Sequence, residues 1–165
     1  MSGKLLKEIH KAKPFDSLQQ EAFLNVIRTA DHLMRAFEEL LKPHNLSSTQ
    51  YNVLRILRGV GGCCDGADDG NGSAGGIPCK KIGEHMITRE PDITRLLDRL
   101  EARGLISRQR DTRDRRIVST RITPDGLRIL KEIDKPVIDF HAAQFPNLPE
   151  NKLTELIELL EQARS

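Results

Sequence analysis

The chain has 165 residues and a net charge of only +2, and 38% of its residues are hydrophobic and 30% charged. This length is enough for one domain or for two small lobes that share a core, and the composition is typical of a folded protein with a well-solvated surface. No apolar run reaches the length of a signal peptide or a membrane span, and three cysteines are too few for a disulfide framework. We therefore expect a cytoplasmic protein without a membrane partner.

The first strong helix pattern covers residues 17–42. Ser17 is a suitable N-cap, and Gln20 stands where a capping box needs its second member. Pro43 is expected to end the helix. Because the apolar stripe is long for one small core, we expect part of it to be buried against another chain. Its members recur at spacings of three and four: Phe23, Val26, Ile27, Ala30, Leu33, Met34, Phe37, Leu40 and Leu41.

A second helix is predicted from Ser47 to about Arg58, with Gln50 again in the capping-box position. The segment from Gly59 to Gly76 then contains eight glycines, several Asp and Asn residues and almost no large apolar side chain. Such a composition cannot bury a core. We therefore expect a mobile surface loop at this point.

Two helices are predicted after the glycine-rich segment. A short one over about Cys79–His85 would bury Ile82, and Thr88 is expected to cap the next, with Pro91 tolerated in its first turn. Gly104 stands where a left-handed residue ends a helix. The buried stripe of the second of these helices is Ile93, Leu96, Leu97 and Leu100. Other faces carry Thr94, Arg95, Asp98, Arg99 and Arg103.

The pattern changes from helix to strand after Gly104. Residues 105–110 and 117–122 are predicted strands, and Asp111–Arg116 is a charged turn between them, so the pair is interpreted as a β-hairpin with a basic tip. The tip arginines are suited to the DNA backbone or the minor groove, whereas a solvated turn is the alternative. These arginines are Arg113, Arg115 and Arg116, and Asp114 is interpreted as a partner that orients one of them.

The C-terminal part is predicted to be helical. Thr123 followed by Pro124 is typical of a helix start, and Pro136 is expected to kink or break that helix. A last helix is predicted over about residues 149–163. One face of it carries Leu153, Leu156, Ile157 and Leu160.

Charge is concentrated in the middle of the chain. Lys80 to Arg121 contains twelve Lys or Arg and seven Asp or Glu, a local balance of +5, which leaves −3 for the remainder. This uneven distribution favours a patch for a polyanion over a solvated charged face. A helix, a short helix, a helix and a basic hairpin in succession describe a winged helix-turn-helix, whose last helix fits the major groove of DNA.

Several separated segments resemble the MarR family of bacterial regulators. They are Ser47–Leu57, Ile93–Ile106, Asp114–Arg116 and Ile122–Gly126. The resemblance covers about residues 46–130, apart from the glycine-rich segment, and the motifs occur in the family's order. It implies a mainly α fold with a small β-wing, and a dimer built from the N- and C-terminal helices. It also implies regulation of transcription, often repression, relieved by a small ligand or by oxidation.

The resemblance also implies which residues contact DNA. Thr88 and Arg89 correspond to the start of the recognition helix, and Arg115 corresponds to the wing-tip arginine, with Asp114 beside it. Asp92, Thr94 and Arg95 correspond to the groove-facing first turns. The full set of predicted DNA-binding residues is Thr88, Arg89, Asp92, Thr94, Arg95, Arg99, Arg113, Arg115 and Arg116.

The resemblance and the helix pattern together divide the chain into three predicted segments. Residues 1–45 and 124–165 are predicted to hold the dimerisation helices, and residues 46–123 the DNA-binding domain with residues 59–76 inserted in it. The expected partners are double-stranded DNA with a pseudo-palindromic operator, a second copy of the chain, and a small-molecule effector. No cofactor or metal is expected.

The cysteines leave a second hypothesis open. Cys63 and Cys64 in the insertion, with Cys79, are candidates for a redox site or a soft-metal site, although their spacing matches no zinc pattern. The oxidation-sensing branch of the family has a cysteine near the start of its first long helix, and Phe15 to Phe23 contains none. Inert thiols on a loop are the alternative.

Other classes of protein are less well supported. The chain offers no pairing of a nucleophile with a base and no phosphate-binding glycine motif, so we do not expect an enzyme. A protein-interaction module without DNA is disfavoured by the arginine-rich tip. His32 and Phe37 are candidates for the lining of a ligand pocket, but such residues are more often packing residues.

Overall fold

The computed structural model describes residues 4–61, 76–88, 90–110 and 118–165, and of residues 60 and 61 it describes the backbone only. The chain divides into two compact units, Met1–Leu130 and Lys131–Ser165, with the boundary inside one long helix. As predicted, the fold is mainly α with a small antiparallel sheet. None of the described helices is both long and apolar enough to span a membrane.

The N-terminal part contains a short helix, α1 (Lys4–Glu8), which the sequence did not predict, and the long helix α2 (Leu18–Leu41). The oxygen of Ser17 caps α2 by accepting from the backbone N–H of Gln20 at 3.1 Å, as predicted. The second half of the capping box differs, because Gln20 Oε1 accepts from the N–H of Asp16 at 2.8 Å. The Gln20 side chain is therefore hydrogen-bonded to Asp16, the residue before the N-cap, and not to the N-cap Ser17 itself.

The apolar stripe of α2 is largely uncovered within the chain. Only Leu41, at the end of the helix, is buried. A 3₁₀ turn over Lys42–His44 follows and contains the proline that was expected to end the helix. The exposed fractions along the stripe are 63% for Phe23, 51% for both Val26 and Ile27, and 39% for Met34.

Helix α3 (Ser48–Gly61) begins with a complete capping box. Ser47 Oγ accepts from the N–H of Gln50 at 3.2 Å, and Gln50 Oε1 accepts from the N–H of Ser47 at 3.1 Å. The helix extends past the predicted end at about Arg58. The predicted loop at residues 59–76 therefore overlaps the helix, and residues 62–75 lie outside the described part of the chain.

The two-residue strand β1 (Ile77–Pro78) leads directly into α4 (Cys79–His85), the short helix that was predicted. Ile82 of α4 is fully buried, also as predicted. The strand itself was not predicted. Gly76 precedes it and packs closely on the sheet, since a Cβ atom there would lie 3.0 Å from side-chain carbons of Ser119 and Arg121.

Helix α5 (Ile93–Ala102) begins later than predicted. Asp92 is its N-cap, whereas Thr88 lies in a bend five residues before the helix. The prediction of a start at Thr88 was wrong because it required Glu90 to be helical, and the ring of Pro91 disfavours a helical conformation in the residue before it. The three leucines of the predicted stripe are buried and Ile93 is half-buried.

Strands β2 (Ile106–Arg110) and β3 (Val118–Ile122) form an antiparallel pair. Ile106 faces Ile122 and Arg110 faces Val118, which is the predicted hairpin. The strand β1 pairs with the other edge of β3, so the sheet has the order β1-β3-β2. The predicted tip, residues 111–116, lies outside the described residues.

The connection from α5 to β2 is closely packed. Gly104 has a φ of +70°, as predicted, and the N–H of Leu105 donates to the carbonyl oxygen of Leu100 at 3.0 Å, which completes a Schellman motif. The hydroxyl of Thr123 donates to the carbonyl oxygen of Gly104 at 2.7 Å and accepts from the N–H of Gly126 at 3.1 Å. Thr123 therefore ties the end of α5 to the start of the following helix.

That following helix, α6 (Pro124–Ala143), passes through Pro136 without a break. Of the two expected outcomes, a kink or a break, the break does not occur, and two side chains that flank the proline on the same helix, Ile133 and Val137, are buried. Burial of such side chains offsets the hydrogen bond that proline removes. The last helix, α7 (Glu150–Gln162), agrees with the prediction.

The core of the first unit lies where α3, α4 and α5 meet the sheet. Each fully buried aliphatic side chain contributes about 1.5–3 kcal/mol to the stability of such a core. Thr120 is the one buried polar residue of β3 in the described chain, and its hydroxyl lies 3.7 Å from Cys79 Sγ. The largest fully buried side chains of this core are Leu54, Ile82, Leu97, Leu100 and Ile106.

Candidate DNA interface

The face of α5 opposite its buried leucines carries the side chains that were predicted to contact DNA. Thr94, Arg95 and Arg99 are all exposed there. Leu96, Leu97 and Leu100 hold the other face against the core. The helix therefore presents a polar, cationic surface on a rigid support.

Asp92 and Arg95 form a pair at the start of α5. Asp92 Oδ1 accepts from the backbone N–H of Arg95 at 3.1 Å, which is the N-cap hydrogen bond. Asp92 Oδ2 lies 3.0 Å from Arg95 Nε. The Arg95 side chain remains 78% exposed and that of Asp92 46%. One carboxylate thus both begins the helix and restrains an exposed guanidinium.

A cleft of about 210 Å³ lies between the start of α3 and α5. Ser47 and Thr49 line it from the start of α3, and Arg95 and Arg99 line it from α5. Among the residues that the structure describes, Arg99 has no carboxylate partner. Its charge is therefore available to an anion. The complete lining is Ser47, Thr49, Gln50, Glu90, Asp92, Arg95, Leu96 and Arg99.

Arg108 of β2 is bound to α5. Its Nε donates to Glu101 Oε2 at 2.8 Å, and its Nη2 lies 2.6 Å from Asp98 Oδ1. Glu101 also accepts from the backbone N–H of Arg108 at 3.0 Å. The hydrogen bond with Glu101 raises the pKa of the Arg108 guanidinium, against the opposing effect of burial. These contacts fix the strand to the helix and neutralise one of the positive charges counted in the basic segment from Lys80 to Arg121.

Arg103, in the turn after α5, connects it to the start of the helix-turn-helix. Its Nη2 donates to the carbonyl oxygen of His44 at 2.9 Å, and its Nη1 donates to that of Asn45 at 2.5 Å. These carbonyls belong to the connection between α2 and α3. The helix with the predicted DNA contacts is thus anchored at its C-terminal end to the segment that follows α2.

The sequence analysis did not predict the contacts that Arg103 and Arg108 make within the protein. For Arg108 a signal was present, since alternation along β2 puts it on the same side as the buried Ile106. For Arg103 the sequence contained no such signal, because the carbonyl oxygens that accept its hydrogen bonds are 58 and 59 residues away along the chain.

Several predicted residues fall outside the part of the chain that the structure describes. These are Arg89, Arg113, Arg115 and Arg116 of the DNA-binding set, and Cys63 and Cys64 of the insertion. Cys79, the third cysteine, is half-buried as the first residue of α4. Its pairing with the insertion cysteines stays a prediction.

His32 and Phe37, which were candidates for a ligand pocket or for packing, lie on α2. The Phe37 ring packs edge-to-face against the Tyr51 ring of α3, with centroids 5.4 Å apart. His32 is exposed. Among the described residues, no three His, Cys, Asp or Glu side chains are grouped as a metal site requires.

The geometry defines a class of protein. Three helices, α3, α4 and α5, pack on a three-stranded sheet, and the last of them presents arginines beside a hairpin. This is a winged helix-turn-helix, the architecture of proteins that insert a helix into the major groove of DNA.

Comparison with known proteins gives the family. The model of the MarR family matches residues 72–118. A solved MarR transcription factor from Planctomyces limnophilus is 39% identical, with 90% of this chain and 98% of that chain covered and a TM-score of 0.64. The transcriptional regulator FarR of Neisseria gonorrhoeae is 24% identical over 89% of this chain and 91% of its own length. The BpsR structure of Bordetella bronchiseptica has the same fold, with a TM-score of 0.72, 20% identity, and 93% and 99% of the two chains covered.

The chain belongs to the MarR family, as its motifs indicated. It is a DNA-binding regulator of transcription.

Proposed function

We propose that this protein is a cytoplasmic repressor that binds a pseudo-palindromic operator as a homodimer and releases it when a small ligand binds. In this proposal α5 enters the major groove, and the hairpin tip contacts the backbone or the minor groove. The observation that carries it is the exposed polar face of α5, with Thr94, Arg95 and Arg99 on a helix held by the core.

The remaining proposed contacts surround this face. Thr88 is exposed in the bend before α5, and Asp92 is the N-cap. Arg89 and the tip arginines Arg113, Arg115 and Arg116 complete the proposed set on the basis of the sequence. The strands β2 and β3 lead toward the tip from a base that Arg108 binds to α5.

The proposed homodimer is supported by uncovered apolar surface at both ends of the chain. On α2, Phe23 is 63% exposed and Val26 and Ile27 are each 51% exposed. On α7, Ile157 is 57% exposed. Single exposed apolar residues are ordinary, but a helical row of them is typical of an interface. A two-fold axis through such an interface would match the symmetry of the operator.

The proposed release by a ligand is supported by a relative. The DNA binding of BpsR is regulated by 6-hydroxynicotinic acid. In this chain, Arg103 bonds the turn after α5 to the connection that follows α2. A ligand that displaced α2 would therefore act on the helix proposed to enter the groove.

The test is selection of bound fragments from a pool of random DNA duplexes, followed by sequencing. We expect an inverted repeat whose half-site centres are about one helical turn apart, and binding that weakens steeply with salt. The control is a scrambled duplex of the same composition. Equal affinity for the selected and scrambled duplexes would contradict the proposal.

A further inference from the structure

Asp92 is a negative charge where a DNA-binding surface would favour a neutral residue. A carboxylate near phosphates is repelled by them. Serine or asparagine caps a helix about as well as aspartate does. The cap hydrogen bond therefore does not require a charge at this position, and the helix dipole gives a carboxylate only a modest advantage.

The second oxygen of Asp92 provides the explanation. While Oδ1 accepts the N-cap hydrogen bond from the Arg95 N–H, Oδ2 lies 3.0 Å from Arg95 Nε. A serine hydroxyl has one oxygen and cannot do both. This ion pair favours one arrangement of a long side chain that has many rotamers, since 78% of it is exposed.

Within the part of the chain that the structure describes, neither Nη1 nor Nη2 of Arg95 has a hydrogen-bond partner. The Nη1 and Nη2 groups form a planar pair of donors, and guanine offers a matching pair of acceptors, O6 and N7, in the major groove. Adenine has an acceptor and a donor at these positions and does not match a pair of donors. The restrained guanidinium is therefore complementary to guanine among the four bases.

We propose that Asp92 is a positioning residue that holds Arg95 for bidentate recognition of one guanine in each half-site. This inference rests on the proposed function, because it requires α5 to lie in the major groove. Arg99 provides the contrast. It is exposed on the same helix without a carboxylate partner among the described residues, so it is free to contact any phosphate.

The test replaces each guanine of the selected operator in turn with 7-deazaguanine, which lacks the N7 acceptor but keeps the base pair. Wild type is expected to lose about tenfold in affinity at one guanine per half-site. Arg95→Ala is expected to bind the normal operator correspondingly less tightly, and to lose nothing further on substitution of that guanine.

Asp92→Ser and Asp92→Asn keep an N-cap and remove the restraint on Nε. Both are expected to keep the thermal stability of wild type and to bind random duplex at least as tightly, because a negative charge is gone. Their sensitivity to 7-deazaguanine at the same position should fall to about twofold. The matched control Arg99→Ala should keep the full tenfold sensitivity while binding all duplexes less tightly.

The outcomes separate the inference from the proposed function. Full 7-deazaguanine sensitivity in both Asp92 variants would show that Asp92 only caps the helix, and would overturn the inference. An operator on which no guanine depends on Arg95 would also overturn it, although the proposed function would stand. A wild type without preference for the operator over random duplex would overturn both.

Discussion

At the scale of single residues, the partners of each arginine side chain determine whether its charge is used within the protein or is available to DNA. On α5, Arg95 is restrained by Asp92 and Arg99 is exposed without a described carboxylate partner. In the turn that follows, Arg103 binds two backbone carbonyls, and on β2 Arg108 binds two carboxylates. A count of positive charge treats these four as equal. Their partners show that only some of the basic segment's charge is available to DNA.

Gly126 is a residue whose lack of a side chain is required. A Cβ atom there would overlap the carbonyl oxygen of Leu105 and lie 2.7 Å from Ile122 Cγ1. We predict that Gly126→Ala lowers the free energy of unfolding by about 1–3 kcal/mol. Urea denaturation would measure the change.

Gly83 is the matched control, because nothing lies within 4 Å of a Cβ atom placed there in α4. Gly83→Ala should raise the free energy of unfolding by about 0.5–1 kcal/mol, since alanine loses less backbone entropy in a helix. A stability for Gly126→Ala equal to that of wild type would show that the start of α6 can shift away from Leu105 and β3 without cost.

At the scale of elements, α5 is held along its inner face, at its C-terminal end and on the side that meets β2. Leucines fix its inner face, the Arg103 contacts fix its C-terminal end, and the Arg108 network fixes it to β2. A helix with so many attachments moves together with its surroundings. Its position relative to the hairpin is thus part of the fold and does not have to form on binding.

Arg108 and Arg99 should respond to substitution in opposite ways. Arg108→Gln removes hydrogen bonds to Glu101 and Asp98 and is predicted to lower the free energy of unfolding by about 1.5–3 kcal/mol. It should leave the salt dependence of DNA binding unchanged. Arg99→Gln should leave stability within about 0.5 kcal/mol of wild type. It should reduce the slope of log affinity against log salt by about 0.9, the value for one phosphate contact.

The free energy of unfolding of Arg108→Gln and Arg99→Gln would be measured by chemical denaturation. The salt dependence of their DNA affinity would be measured by fluorescence anisotropy over a range of salt concentrations. A lower salt slope for Arg108→Gln with unchanged stability would mean that Arg108 contacts phosphate in the complex. The network with α5 would then be a feature of the free protein alone.

The hairpin tip is predicted from the sequence to contact DNA through Arg115 and Arg116. Changing both to alanine should weaken binding to every duplex by a similar factor and reduce the salt slope by up to about two units. Titration of operator and random duplex at several salt concentrations would measure this. Unchanged affinity and slope at low salt would remove the tip from the mechanism.

At the scale of the whole molecule, local signals in the sequence predicted the order of the main helices and the hairpin. The caps at Ser17 and Ser47, the left-handed Gly104 and the leucine period of α5 all act within a few residues. Features that depend on distant contacts were missed. A two-residue strand such as β1 has no period to detect, and the acceptors of Arg103 come close only in the folded chain.

Where two local signals compete, sequence reasoning is also limited. Thr88 and Asp92 are both acceptable N-caps, and only the conformational restriction before Pro91 decides between them. The same choice determines what Asp92 does. If the helix began at Thr88, Asp92 would lie inside it with its side chain toward the DNA groove. As the N-cap, Asp92 instead contacts both the backbone N–H and the side chain of Arg95.

The assembly of two copies is the prediction that involves the whole molecule. Phe23 lies on the uncovered stripe of α2 and is 63% exposed in the single chain. If that stripe is the dimer interface, Phe23→Asp replaces a buried aromatic side chain by a charge. The dissociation constant of the dimer should then rise by at least tenfold, since burial of a phenylalanine side chain contributes about 1.5–3 kcal/mol. Sedimentation at micromolar concentration would measure the shift toward monomer.

Leu18→Asp is the matched control for this experiment. Leu18 is 81% exposed in the first turn of α2 and is not part of the stripe, and a carboxylate near a helix N-terminus is favourable. This variant should remain a dimer and keep its affinity for the operator, whereas Phe23→Asp should lose affinity for the full operator but not for an isolated half-site. If Phe23→Asp sediments as a dimer and binds the full operator like wild type, the stripe of α2 is not the surface that joins the two copies.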